Sequence, residues 1–283
     1  ELIKLIEEDN IIISTEKGLL TIENMQFATL DTDEFPKITK LEGESIKINV
    51  SDFVDNIEKT LFAASKDIQN VEIACLRIEP NIMASTDRNR MVIKNKETHL
   101  KEPVSVPINS VINISKILLK ANSESVSLII QENKLYIESE TMVYVTRLID
   151  LPFVDVKSLV EGRVTDKEMM INSKQLQKAL KKVVIIVRGN QEMQNSAIFE
   201  ISNNKIIIKG ESQKSKIKEV IDCIYLGEDL KVGLNCKHIS EFIAKVKGNI
   251  IIKFSNNQSA FILIDEDDED YKYLMMPLAL RGE

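Results

Sequence analysis

The chain has 283 residues, 43% of them hydrophobic, with only 9 glycines and 6 prolines, which excludes a linker-rich or disordered protein and suits two or more folded domains. A net charge of −7 excludes a uniformly basic nucleic-acid coat, but it leaves room for a local concentration of positive charge. Three cysteines without C-x-x-C spacing and two histidines make no zinc pattern, so Cys75, Cys223 and Cys236 are expected as buried reduced thiols.

No run of about 18 apolar residues and no charged-then-apolar leader appears, so a cytoplasmic protein with no membrane partner is expected. The start at Glu1 reads as that of a fragment. In chain order, alternating Ile11 and Ile13, then Leu20 and Ile22, predict a pair of strands. A helix is predicted over 51–64, where Phe53, Ile57 and Leu61 recur at helical spacing behind Asn and Ser capping residues. Strands follow, then a second helix over 110–121 and paired strands on either side of the polar turn after Gln131. The same order recurs with helices over 173–187 and 236–247.

That recurrence is an internal repeat. Ile48, Phe53, Ile57 and Leu61 match Ile171, Leu176, Leu180 and Val184 at a step of 123, and "VPINSVINISKILLK" resembles "VGLNCKHISEFIAKV". Ile11, Ile13, Leu20 and Ile22 match Val126, Leu128, Leu135 and Ile137 at a step of 115. The chain therefore reads as two complete α+β units, each helix, strands, helix, strands, preceded by the tail of a third that lacks roughly eighty residues. The expected domains are 1–40, 41–156 and 157–283.

Charge is unevenly spread over these elements. The four predicted helices carry ten basic residues against Asp52, Asp55, Glu58 and Glu241, although the whole chain has 37 basic and 44 acidic residues. Lys174, Lys178, Lys181 and Lys182 share one helical face, which is either a solvated face or a phosphate-facing one. The acidic run Asp265 to Asp270 lacks the ligand spacing and central Gly of an EF-hand and is expected as a solvated loop between strands. Apolar "YLMMPLAL" after it is unusual so close to a terminus, and Asp87 beside Thr86 has no histidine to make a catalytic pair.

Four segments in order, "FPKITKLEGESIKINVSDFVDNIEKTLFAAS", "ASTDRNRMVI", "TRLIDLPFVDV" and "YLMMPLAL", resemble the bacterial DNA polymerase III beta subunit family, the sliding clamps. The resemblance spans essentially the whole chain. It implies a DNA-clamp fold of repeated helix-plus-sheet domains, the first one incomplete here, with helices lining a ring and sheets outside. It implies a non-enzymatic processivity factor without cofactor or metal, a homodimer that encircles duplex DNA without reading its sequence. The replicative DNA polymerase, a clamp loader and other clamp-motif proteins would be its partners.

Carried over by position, the resemblance implies a peptide pocket of Ile73, Thr86, Arg90, Met91, Val154, Leu159, Leu274, Met276, Pro277 and Leu278. It implies DNA-facing Lys116, Lys120, Lys174, Lys178, Lys181, Lys182, Lys237 and Lys245, and a dimer interface of Met25 and Phe27 against Ile185 and Ile186. Arg88 and Asn89 depart from the family's Gly-His, Val154 from its Pro and Ala279 from its Arg, and Arg281 to Glu283 extend the end, so the pocket is expected to be narrower or more basic at its rim. Two competing readings remain at this stage: a clamp-like peptide-binding adaptor that does not encircle DNA, and an enzyme on a repeated α+β scaffold.

Overall fold

The structure is a computed structural model that describes all residues except 1, 7–9, 32, 34–40, 122, 191–194 and 280–283. The expected first junction around Phe35, and the terminal Leu280 to Glu283, lie outside the described residues. The chain forms two compact units, Glu1–Glu42 and Gly43–Glu283.

The first unit has a short 3-10 turn at Leu2–Leu5 and an antiparallel meander of β1 (Ile13–Glu16), β2 (Leu19–Ile22) and β3 (Met25–Ala28). Ile13 pairs with Ile22 and Leu20 with Phe27. Its apolar residues are largely exposed, Ile12 at 71% and Leu30 at 82% among them.

The second unit begins with β4 (Ser45–Asn49) and α1 (Val50–Thr60), whose cap Asn49 accepts from the Asp52 amide, as the polar lead-in predicts. A 3-10 turn, Leu61–Ala63, finishes that helix. Then come β5 (Cys75–Glu79), β6 (Ile82–Thr86), β7 (Arg90–Asn95), β8 (Val104–Pro107), α2 (Ile108–Lys120), β9 (Ser125–Gln131), β10 (Lys134–Glu138) and β11 (Val143–Arg147). A short helix, α3 (Val156–Glu161), follows where the sequence predicts none, across the expected boundary at 156/157. Its cap Asp155 accepts from the amide and hydroxyl of Ser158.

The pattern then repeats: β12 (Lys167–Asn172), α4 (Ser173–Val187), β13 (Ser196–Ser202), β14 (Lys205–Glu211), β15 (Lys216–Asp222), β16 (Ile224–Tyr225), β17 (Leu230–Asn235), α5 (Cys236–Ile243), β18 (Asn249–Phe254), β19 (Phe261–Asp265) and β20 (Asp268–Met275). Strand registers carry the repeat residue by residue. Arg77 pairs with Ala84 as Glu200 pairs with Ile207, and Ile48 pairs with Val126 as Ile171 pairs with Ile250. The pair Ile13 with Ile22 recurs as Leu128 with Ile137. The second helices differ: Asn235 caps α5, whereas α2 starts one residue ahead of Asn109 with no side-chain cap.

Two four-stranded sheets, β11-β10-β9-β4 and β15-β14-β13-β17, flank a nine-stranded sheet in the order β16-β12-β18-β19-β20-β7-β6-β5-β8. That large sheet exists because β20, at the end of the second repeat, pairs antiparallel with β7 of the first, Tyr273 opposite Val92 and Leu274 opposite Met91. The first part of the apolar terminal stretch, Tyr273 to Met275, therefore lies in the interior of a sheet. Alternation along β20 sends Tyr271, Tyr273 and Met275 into one core with α4 and α5, and Leu274 into another with Met91, Ile93, Val156 and Leu159. The acidic run is a solvated turn between strands only at Glu266 and Asp267; the expected loop is shorter than the run. Asp265 ends β19 and Asp268 to Asp270 begin β20, because Lys94 holds Asp268 at 2.6 Å and Asn95 reaches Asp270.

Candidate functional site

The hairpin between β6 and β7 forms one wall of the expected pocket. Thr86 donates its hydroxyl to the Arg90 carbonyl at 2.6 Å, and the Asp87 carboxylate accepts from the amides of Asn89 and Arg90. These bonds hold Arg88 at the turn apex with φ of 77°, a left-handed conformation that a non-glycine residue rarely adopts. The Asn89 carbonyl then accepts from the Met276 amide at 2.9 Å, so the chain leaving β20 runs beside this turn.

Between the turn, α3 and the end of β20 lies a cavity of about 80 Å³, lined by Thr86, Arg90, Met91, Leu159, Leu274 and Met276 among those carried over from the family. Met91 and Leu274 make a buried apolar floor, whereas Met276 stands 41% exposed at the edge. The other four expected residues lie elsewhere. Ile73 is 2% exposed, its carbonyl bonded to the Ser65 amide, so it supports the wall from behind. Val154 precedes α3, is 39% exposed and is not among the residues that line the cavity. Pro277 and Leu278 line a separate cavity of about 350 Å³ with Val232 and Gly233, because the Leu278 amide bonds the Gly233 carbonyl at 2.8 Å and pulls the tail onto the edge of β17.

Arg88, Asn89, Arg163, Ala260 and Met275 also line the smaller cavity. Arg88 and Asn89 were visible as departures from the family pattern, whereas no sequence signal marked Ala260 or Arg163. The Arg163 Nε donates to the Leu159 carbonyl at 2.8 Å, which fixes its guanidinium at the end of α3.

Beneath the cavity sits a charged network joining the two repeats. Arg90, 7% exposed, donates to Asp87 at 2.8 Å, to Glu241 on α5, and to the Phe62 carbonyl at 3.1 Å, with its guanidinium above the Phe62 ring. Burial works against its charge, but Tyr273 and Glu241 more than offset that and hold it ionised. Burial and the nearby Arg90 charge together depress His238 to about 4, so it is neutral at physiological pH. Tyr273 donates to the His238 carbonyl and stacks against Phe62 and Phe242, and Tyr271 reaches the Lys59 carbonyl at 2.8 Å. The thiol of Cys236 is pushed up to about 12 by burial, and those of Cys75 and Cys223 to about 11, so all three stay protonated. Among the described residues no cluster of His, Cys, Asp and Glu is arranged to hold a metal, and no helix is long and apolar enough to cross a membrane.

The lysines expected to face DNA lie on helix surfaces. Lys174, Lys178 and Lys181 are exposed on one face of α4, whose opposite face buries Leu176, Leu180, Val183 and Val187. Lys116 and Lys120 on α2, and Lys237 on α5, are exposed too. Lys182 is engaged with Glu219 at 3.0 Å, and half-buried Lys245 lies 3.7 Å from Glu58. Helix α1 is the exception: its acids Asp52 and Asp55 pair with Lys96 and Lys59. Of the residues expected at a dimer interface, Ile185 is 68% and Phe27 36% exposed, while Met25 and Ile186 are half-buried.

Two family models match consecutive segments that together make up most of the chain: the DNA polymerase III beta subunit central domain over residues 47–155 and its C-terminal domain over residues 163–279. The beta sliding clamp of Vibrio cholerae is 23% identical over 285 residues, covering 98% of this chain and 75% of the relative. That of Bacillus subtilis is 22% identical over 305 residues, covering 98% and 77%. The crystal structure of the Bacillus subtilis DNA polymerase sliding clamp superposes with a TM-score of 0.85 at 21% identity, covering 99% of this chain and 77% of that one. The repeat, its strand registers and these matches have one meaning: the chain belongs to the DNA polymerase III beta subunit family, the sliding clamps, which are non-catalytic processivity factors of DNA replication.

Proposed function

We propose that this sliding clamp closes head to tail with a second copy around duplex DNA, and that it tethers the replicative polymerase and other partners through the cavity between β7, α3 and β20. The ring reading is carried by one observation, the pairing of β20 with β7, together with the repeat. By register, β15 is the counterpart of β7, and β3 is the counterpart of β20, by way of β11. Both β15 and β3 are sheet edges. Applying the β7·β20 register to β15 and the β3 of a second copy sets Met25 opposite Glu219 and Phe27 opposite Ile217. The same equivalence puts Ile185 where Phe62 stands, and Met25 where Tyr273 stands. The stacking of Phe62 on Tyr273 would become apolar packing of Ile185 on Met25, with Phe27 and Ile186 beside it.

In that ring Lys116, Lys120, Lys174, Lys178, Lys181, Lys182, Lys237 and Lys245 would meet phosphates, giving salt-dependent attraction without base readout. The domains would be 1–40, 41–156 and 157–283, and the site of action cytoplasmic. The cavity's thioether and branched side chains suit several apolar ligands, because methionine adapts its shape at little cost. Light scattering across protein concentration tests the ring: a dimer for the chain and a monomer for Ile185→Asp is expected. A monomer for both, up to the highest soluble concentration, contradicts it.

A further inference from the structure

The two repeats part company beyond β7 and β15, and the difference opens a cavity in the first. By register Asn95 is the counterpart of Asp222, so Lys96 is that of Cys223; the amide of each bonds the carbonyl of an equivalent asparagine, Asn81 or Asn204, at 2.9 Å. Cys223 is buried in its core, and the chain after it pairs with β12, Tyr225 opposite Met169. An unpaired lysine cannot stay in such a place, and Lys96 turns outward to Asp52 at 2.8 Å. The chain after it bonds the Pro80 carbonyl through the Thr98 amide and bends at His99, with φ of 59°, while β4, the counterpart of β12, keeps an unpaired edge. Between β4 and residues 96–100 lies a cavity of about 310 Å³.

Its walls include Ile48, Phe53, Ile78, Leu100 and Leu128, an apolar lining at the small end of the range for ligand sites. Two charges stand at its mouth, both exposed: Lys47 on β4 and Glu97 on the facing segment. Among the described residues these two make no ion pair with each other, and Glu97 reaches the His99 ring at 3.3 Å. The other acid of the lining, Asp52, is taken by Lys96. A cation and an anion that share one opening without touching, in front of an apolar space, complement a ligand that carries both charges on one small head. We propose that this cavity binds an apolar α-amino acid. Its carboxylate pairs with Lys47, its ammonium with Glu97, and its side chain fills the space beside Phe53 and Leu128.

The test titrates the full chain with L-phenylalanine, with its N-acetyl form, which lacks the ammonium, and with its amide, which lacks the carboxylate, while backbone amide chemical shifts are followed. Phenylalanine is expected to shift the amides of Lys47, Phe53 and Leu100 and to bind roughly twofold to fivefold tighter than either analogue, the range for surface pairs. In Lys47→Gln its affinity should fall to that of the amide, and in Glu97→Gln to that of the N-acetyl form. Lys96→Val, which puts an apolar side chain where Cys223 stands in the other repeat, should fill the space and abolish binding of all three while melting no lower than the parent chain. The inference is overturned by unmoved amides up to the solubility limit of phenylalanine, by equal affinity for the three ligands, or by binding that survives Lys96→Val unchanged.

Discussion

The two repeats of the second unit share strand registers and the same caps on their first helices, yet they present different surfaces. In the first, α1 carries Asp52, Asp55 and Glu58 against one lysine; in the second, α4 carries Lys174, Lys178, Lys181 and Lys182 and no acid. At the base of the sheet the contrast is of closure. The edge of β7 is sealed by β20, with Arg90 locked beneath it, whereas the matching edge of β15 is open and Ile185 stands exposed where Phe62 is stacked. Apolar periodicity and hydrogen-bond register are common property of the repeats, so they specify the fold. Side chains that point away from the cores are free to diverge, and the divergence is where each repeat's task shows.

The largest expected effect is at the sealed junction. Arg90→Ala removes the shared cation of a charged network and leaves Asp87 and Glu241 without it, which should cost about 3–5 kcal/mol in urea unfolding. Phe62→Ala should cost about 2–3 kcal/mol through lost stacking on Tyr273. Its counterpart Ile185→Ala, measured at protein concentrations too low for association, should stay within about 0.5 kcal/mol. Equal costs at the two positions would erase the distinction between a closed and an open edge.

The junction should also respond to acid. His238 titrates near 4 when folded against about 6.5 when unfolded, so at intermediate pH the unfolded chain binds the extra proton. The sign follows: stability is complete above pH 6.5 and declines as pH falls toward 4, by about 1–3 kcal/mol. His238→Gln should flatten that part of the stability profile. The smallest effect on folding is on the lysine face: Lys174→Gln, Lys178→Gln and Lys181→Gln should each change stability by less than about 0.5 kcal/mol. Each lysine that meets a phosphate should nonetheless lower the slope of log affinity against log salt by about 0.9.

Much of this was legible beforehand, for identifiable reasons. Ile57 and Leu180 recur at a fixed step because both repeats bury that position, half-buried Ile48 packs on its core where Ile171 is fully buried, and Asn49 and Asn172 announce their helices chemically. Short α3 carries too little periodicity to be seen, yet its Leu159 walls the cavity. The strand character of the acidic run is not legible because the groups that hold it, the Lys94 cation and the Asn95 amide, are more than 170 residues away in sequence. Pro277 and Leu278 belong to the same apolar stretch as Met276, and only the bond to Gly233 separates them from its cavity. The place of Arg163 at the cavity is invisible for the same reason: it depends on what folds beside it.

The central claim is that the open edges of β15 and β3 complete each other in a second copy as β7 and β20 do within the chain. The direct measurement is disulfide formation between copies of a variant carrying Phe27→Cys and Ile217→Cys, oxidised and run without reductant, beside a control carrying Phe27→Cys and Val220→Cys. The account predicts a covalent dimer for the first pair and little for the second, since residues opposite each other in an antiparallel ladder are close enough to bridge. Equal cross-linking of both pairs, or of neither, would contradict it.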